Sequence, residues 1–426
     1  MSCDPQHEIE SAPSLLILGA STRAAAHSAI RAGLQPVCAD LFHDQDLTAV
    51  SQVFRVERYP SSLPEVARKV QNCPWMYVGA LENRPQIIAE ISAQRPLWGN
   101  PDDVVRAVRD PFGVHSVLSQ AGLDVPNVCS SAEPPAPDGR WLLKPINGAA
   151  GRGICVWNRA AKFSLTLKEP CFFQRFRSGT PLSALFLAMR DKTELIGISR
   201  QLIGESWLGA SPFGYCGSIG PIEPDDNLKR TVQRIGNVLA TECRLRGLFG
   251  VDLVFDGERI WPVEINPRYT ASVELFELAG EISLLDCHAR ACAEFETESV
   301  RSQSAAGGRF CRKDSQTFLR IVGKAIVFAD RDFIAPNLLE FSQNHSLEPL
   351  PLLADIPPTG SEILSNHPIC TVFATGQSEK ECYNNLKQNV QFVRDRLDSG
   401  CRKERSAFSG QPSALRRKNA APQAEG

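Results

Sequence analysis

The chain is predicted to fold as an α/β protein, on three observations. Apolar strand-like runs alternate with helix-like runs through residues 14–100. Residues 248–270, LFGVDLVFDGERIWPVEINPRYT, read as a hairpin of two strands with alternating faces. Residues 317–398 mix short strands with one amphipathic helix. A length of 426 residues allows two or three domains, and 43% hydrophobic with 22% charged residues describes an ordinary globular chain.

The first unit spans residues 13–100. SLLIL is a buried strand, and GASTRAAAHSAIRAGL is a turn into a helix closed by Gly33. QPVCAD is a second strand ending in Asp40. A helix over 63–70, the strand WMYVG, a helix over 85–93 and a short strand at 96–98 follow. This alternation predicts a parallel sheet. An acid about twenty residues after Gly19 suggests a dinucleotide site. GASTRA, however, lacks the second and third glycines of that fingerprint, so a scaffold role is the expectation.

Residues 101–126 read as two helices. Asn100 and Pro101 are expected to start the first, and the second runs from Pro111 to Gly122. His115 on the second is read as a surface or packing histidine. In RWLLKPINGAAGRGICVW, a strand over 141–144 ends in Lys144. A loop with Gly148, Gly151 and Gly153 then leads to a strand over 154–157. Backbone N–H groups at close approach, with a lysine as point charge, suit a phosphate. No GK[ST] and no following helix are present, so this is not a P-loop; the alternative is a flexible hairpin with an exposed lysine.

CFFQRFRSGTPLSALFLAM gives strands over 172–176 and 182–189 around a Ser178–Gly179 turn. Gln174 and the backbone of Phe176 could read an adenine edge, or the pair could be an ordinary strand pair with an exposed glutamine. A further strand is expected over 193–203. Residues 204–220 carry five glycines and three aromatics and are read as a lid or a substrate-shaping wall. A long helix covers 224–247.

In the 248–270 hairpin, Asp256–Gly257 is the turn, and Asp252 and Glu264 lie on paired strands. Asn266 shares the face of Glu264, because strand side chains alternate with period two. Three oxygen donors at one point suit a hard cation such as Mg²⁺. Arg268 follows as a fork for a phosphate or carboxylate. A solvated hairpin is the competing reading, but Val263 and Ile265 flank Glu264 with apolar side chains, and a buried carboxylate needs a partner.

Lys144 before GAAGRG, FQRFRSGTPLS, GLFGVDLVFD and PVEINPR, in that order, resemble the ATP-grasp superfamily over residues 14–290. The wording FQRFRSGTPLSALFL and EINPR is most similar to the branch that includes the tyramine–glutamate ligase of methanofuran synthesis. The resemblance implies a Rossmann-like pre-ATP-grasp domain over 13–100. It implies an ATP-grasp domain over 101–296 whose two α+β subdomains clamp the nucleotide, the small lid subdomain lying at about 138–180. The activity implied is an ATP-dependent, ADP-forming carboxylate–amine ligase working through an acyl phosphate. Lys144, Gly148, Gly151, Arg152 and Gly153 would hold the phosphates, and Gln174 and Phe176 the adenine. Asp252, Glu264 and Asn266 would hold Mg²⁺ (or Mn²⁺), and Arg268 would approach the transferred phosphoryl group. Lys144 and Arg268 would be the catalytic pair. A carboxylase, a kinase-like member or a non-catalytic nucleotide-binding module are the alternatives. Two departures stand out. Asp110 is followed by Pro111 instead of a basic residue, so Arg106 or Arg109 would have to serve. Gln174 and Pro181 stand where many members have glutamates.

The remaining expectations are a linker at 297–316, a small α+β module at 317–398 and a disordered basic tail at 399–426. The module's helix places Cys382, Leu386, Val390, Val393 and Leu397 on one face. The 14 cysteines form no CxxC pair, which predicts reduced thiols. No apolar run has transmembrane or signal-peptide length, so the chain is read as cytoplasmic. A formal net charge of −2 gives no reason to expect nucleic acid. The expected partners are a small carboxylate and an amine, with no membrane; a homodimer is allowed.

Overall fold

A computed structural model of the chain describes residues 12–164, 170–295, 318–345 and 350–408. The first sheet is built from β1 (Ser14–Leu18), β2 (Gln35–Asp40), β3 (Gln52–Arg55) and β4 (Trp75–Tyr77). Its order is β3-β2-β1-β4 and every pairing is parallel. Leu15, Leu16, Ile17 and Leu18 are wholly buried, as expected for a strand covered by helices on both faces. The short strand expected at 96–98 reduces to one bridge between Trp75 and Leu97.

The helices Asp102–Arg109 and Pro111–Gln120 form as expected. Asp110 caps the second by accepting the Phe112 N–H at 3.0 Å. Asn100 does not cap the first. Its amide donates to the carbonyls of Arg246 and Pro267 at 3.1 and 3.0 Å, and its own oxygen accepts the Arg246 N–H at 2.9 Å. Asn100 therefore ties the first unit to the hairpin instead of starting a helix.

A small antiparallel sheet follows, from β5 (Val128–Ser130), β6 (Asp138–Pro145), β7 (Cys155–Asn158) and β8 (Cys171–Arg175), in the order β5-β8-β6-β7. It stands over the edge of an eight-stranded sheet. That sheet takes β9 (Thr180–Ala188), β10 (Thr193–Ile203), β11 (Tyr215–Ile222), β12 (Gly247–Phe255), β13 (Ile260–Asn266) and β14 (Ile321–Phe328). After the two-residue strand β15 (Phe333–Ile334) come β16 (Leu353–Ala354), β17 (Glu362–Ile363) and β18 (Pro368–Gly376). The order is β13-β12-β9-β10-β11-β14-β18-β16, while β15 and β17 pair separately. The C-terminal strands thus continue the sheet that carries the hairpin. The helix Asp226–Glu242 lies on this sheet, capped by Asp225, and buries Val232, Ile235 and Leu239.

The reading of 204–220 as one loop, a lid or a substrate-shaping wall, is corrected. Its second half is β11, paired with β10 on one side and β14 on the other. Glycine at position 217 serves close packing there: a Cβ would lie 2.2 Å from the Lys324 carbonyl oxygen. Only 204–214 is a loop, with a short helical turn at Ser206–Leu208.

The last helix, Glu379–Phe408, buries Cys382, Leu386, Val390, Val393 and Leu397, the predicted face. Ser378 accepts the Glu381 N–H at its start. The helix continues through Phe408, so residues 399–408 are helical where a disordered tail was expected. Residues 409–426 and the linker 297–316 lie outside the described residues. Among the described residues no helix is long and apolar enough to cross a membrane.

Candidate active site

The hairpin register sets Asp252 opposite Glu264 and Gly250 opposite Asn266. Asp252 accepts from Ser183 Oγ at 3.1 Å and Gln201 Nε2 at 2.9 Å through one oxygen. Its other oxygen accepts from Asn266 Nδ2 at 3.3 Å. Ser183 and Gln201 come from β9 and β10, and no local pattern in the sequence marks them. Burial, then the neighbouring Glu264 charge, pushes the Asp252 carboxyl up to about 7. Burial would raise Glu264 too, but Lys144 and Arg109 outweigh it and hold that carboxyl below its usual range. Two facing carboxylates are hard donors that suit Mg²⁺. Among the described residues no group of three or more His, Cys, Asp or Glu side chains could hold a metal ion, and Asn266 turns its N–H to Asp252 and its oxygen to Arg268, so that oxygen would join a cation only with the amide turned over.

Lys144 lies one residue before the end of β6 with its ammonium buried. It donates to Gln174 Oε1 and to the Val263 carbonyl, each at 3.2 Å. Burial lowers its pKa, while Glu264 and Asp252 pull it back up. Lys144 and Gln174 are therefore neighbours, held against the hairpin strand that carries Glu264.

Of the two arginines offered for the place taken by Pro111, Arg109 is the one that faces the hairpin. It donates to Glu264 Oε1 at 2.9 Å, to Asn83 Oδ1 and the Ile146 carbonyl at 2.8 Å, and to the Gly148 carbonyl at 3.1 Å. Its Nε is buried without a partner. Arg106 pairs instead with Asp102 on the helix exterior, at 3.6 Å.

The glycine loop folds over this cluster and rests on the loop 204–214. Gly151 has φ +77°, and the Tyr215 N–H donates to the Ala150 carbonyl at 3.2 Å. Beneath it lies a cavity with apolar walls, among them Val108, Val114, Val128 and Phe172. Lys144, Gln174, Glu264, Gly148, Gly151 and Arg152 also line it. His115 lines it as well, a position that the packing role expected for it did not foresee. Phe176 does not line it. The residue is 41% exposed and its N–H donates to the Arg140 carbonyl at 3.0 Å, which leaves its own carbonyl as the backbone group for a base edge.

Arg268 lies beyond the metal-type donors. Its Nε and Nη2 face Glu82 Oε1 at 2.8 Å, and Nη2 also donates to Asn266 Oδ1 at 3.1 Å. Its carboxylate partner is thus Glu82, from a distant element, and the two glutamates that follow it in the chain are engaged elsewhere. Glu274 is taken by Arg23 and Lys324, and Glu277 by Arg31 and Ser28. Glu82 keeps its second oxygen buried and unpartnered. Arg268 is held as a firm cation although burial opposes it, because Glu82, joined by Glu264 and Asp252, outweighs that cost.

Residues 108–272 match the profile described as the ATP-grasp domain. The chain carries an ATP-grasp domain. Every site residue named above except Asn83 and Glu82 falls within the matched span. No curated protein sequence matches the chain. Solved ATP-grasp-type neighbours share the fold at low identity. N5-carboxyaminoimidazole synthetase from Staphylococcus aureus, complexed with ADP, aligns with TM-score 0.64 and 15% identity over 89% of this chain and 97% of that one. L-amino acid ligase from Bacillus licheniformis aligns with TM-score 0.64 and 14% identity over 89% and 97%. The biotin carboxylase domain of Hydrogenobacter thermophilus 2-oxoglutarate carboxylase, solved with MgADP and bicarbonate, aligns with TM-score 0.61 and 13% identity over 85% and 86%. The fold shared with these structures therefore extends beyond the matched span to most of the chain.

Proposed function

We propose that the protein is a Mg²⁺- and ATP-dependent, ADP-forming ligase that activates a carboxylate as an acyl phosphate and passes the acyl group to an amine. The observation that carries this reading is the convergence of Lys144, Arg109, Asp252, Glu264 and Asn266 beneath a glycine loop and beside an apolar cavity. The cavity suits a planar base, with Gln174 at its polar end. Lys144 and Arg109 stand where they would neutralise phosphate oxygens, and the loop would close over them with its N–H groups. Asp252, Glu264 and Asn266 would hold magnesium, which when bound would offset charge on the transferred phosphoryl group. Arg268, oriented by Glu82 and Asn266, offers a fork to the substrate carboxylate. A carboxylate is a poor electrophile at neutral pH; phosphorylation gives it a good leaving group, and closure of the loop excludes water until the amine attacks.

A second reading, an ATP-dependent carboxylase, is favoured by the likeness to carboxyaminoimidazole synthetase and a biotin carboxylase domain. The deciding experiment measures ADP release with MgATP across pooled carboxylates and amines, with and without bicarbonate. The ligase reading expects release that needs an acid, and hydroxamate formation when hydroxylamine replaces the amine. Turnover that requires bicarbonate and no other acid would overturn it in favour of the carboxylase.

A further inference from the structure

A second cavity lies at the carboxyl ends of β1, β2 and β3, where the first sheet meets the C-terminal strands. Ser21, Asp44, Asp355 and Thr371 line it, with Ile326 and Ile369 among its apolar walls. Arg55, Glu362 and His367 also line it; all three are exposed, and the charges of Arg55 and Glu362 oppose each other.

Asp44 is the unusual member. Only 4% of it is exposed. It occupies the position before the short helix Gln45–Thr48 but makes no capping bond, and among the described residues its carboxylate has no hydrogen-bond or ion-pair partner. The acids around it are all engaged. Asp355 accepts from Arg23 Nε at 2.9 Å and from Thr371 Oγ1. Asp46 accepts the N–H groups of Asp355 and Ile356 at 3.0 and 2.9 Å. Glu274 is held by Arg23 and by Lys324 at 3.1 Å. Four carboxylates, Asp44, Asp46, Asp355 and Glu274, therefore share two cations, Arg23 and Lys324. Burial, and after it the charge of Asp355, pushes the Asp44 carboxyl well above its ordinary value. Its oxygens are not sealed off but open onto the cavity, where a bound cation would offset the cost of holding the charge in so buried a place.

The cavity is tied to the proposed acyl-transfer site. Arg268 packs against Gly79, just past β4. The Ala20 N–H donates to the Gly79 carbonyl and the Leu41 N–H to the Ala20 carbonyl, so the loop after β1 bridges the two places. With the order β2-β1-β4, they are two strand spacings apart, about 10 Å.

We infer that this cavity receives the far end of the amine substrate and that this end bears a second, non-reacting cation on an apolar spacer, as in a short aliphatic diamine. The inference rests on the ligase reading for the identity of the reacting end. The cationic end faces Asp44, the spacer runs along the apolar wall, and the uncharged amino group is left near Arg268.

The test is calorimetric binding to the full chain with MgATP present, using putrescine and cadaverine against n-butylamine and n-pentylamine. The diamines should bind about tenfold or more tightly than the monoamines. Asp44→Asn should remove that preference, leave MgATP binding unchanged and raise the thermal unfolding temperature, because an uncompensated buried acid is gone. Equal affinity for mono- and diamines overturns the inference, and so does a preference that survives in Asp44→Asn. The comparison of amines on the wild-type protein decides the matter even if the variant does not fold. MgATP binding without diamine preference leaves the ligase reading standing; absence of MgATP binding strikes at that reading instead.

Discussion

Gly151 stands directly against the carbonyl of Phe213: a Cβ on Gly151 would lie 1.9 Å from that oxygen. The phosphate-side loop and the loop before β11 thus meet through bare backbone. Gly151→Val should therefore keep the loop from closing. Its φ of +77° adds strain of about 1–2 kcal/mol for any residue with a Cβ. The expected outcome is weaker MgATP binding by calorimetry with a small loss of thermal stability, since the loop covers little core. A variant with normal nucleotide affinity would show that this contact is not needed for binding.

Arg109 and Arg106 provide a matched pair. Arg109→Met removes a half-buried fork that touches Glu264 and two loop carbonyls, and should weaken MgATP binding at least tenfold. Arg106→Met removes a surface pair whose arginine is 56% exposed, and should change stability by no more than about 0.5 kcal/mol and binding not at all. Equal effects of the two would contradict the placement of Arg109 as the phosphate-side cation.

The hairpin was legible in the sequence because strand alternation is local: Asp252, Glu264 and Asn266 could be set on one face from period two alone. Lys144 was legible from its place between a strand and a glycine loop. The choice between Arg106 and Arg109 was not, because they lie three residues apart on one helix and only the packing of that helix decides which faces inward. Glu82, Ser183 and Gln201 were missed because each reaches the site from a distant element. The segment 215–220 was misread because Gly217 and Gly220 look like loop residues, whereas in β11 they allow neighbouring backbones to approach. The joining of β14, β18 and β16 to the central sheet was hidden for a related reason. Strand order is set by long-range pairing, which composition does not record.

Glu264→Gln tests the metal-type donors. It should preserve the fold and cut ADP formation by orders of magnitude, because a charge balancing the bound cation is lost. The same change should let the Asp252 carboxyl fall back from about 7, since Glu264 is one cause of that rise. Normal turnover in Glu264→Gln would dismiss the assignment.

His288 predicts a pH effect on stability. It is buried, accepts the Leu248 N–H at 2.9 Å and faces the Trp98 carbonyl at 3.2 Å, so the ring fits its site only when neutral. Burial lowers its pKa from 6.5 to about 4. Above pH 6.5 the ring is neutral in both folded and unfolded chains and its titration costs nothing. As pH falls from 6.5 towards 4, the unfolded chain takes up a proton that the folded chain refuses, and up to ~3 kcal/mol is lost. Asp46, raised to about 6, works in the opposite direction over part of that range. The effect is therefore read as a difference: thermal unfolding of the wild type minus that of His288→Gln, which should become less favourable to the wild type on acidification. A difference independent of pH would refute the assignment.

The pairing of β11 with β14 bears on synthesis of the chain. Every proposed nucleotide and metal contact lies before residue 270, so a ribosome has emitted the whole catalytic set while β14 is still unmade. Until residues 321–328 emerge, β11 presents a naked hydrogen-bonding edge, and Glu274 waits for Lys324 to share its charge. A transcript cut short in its final quarter would thus yield a product equipped for chemistry but prone to stick to its own copies.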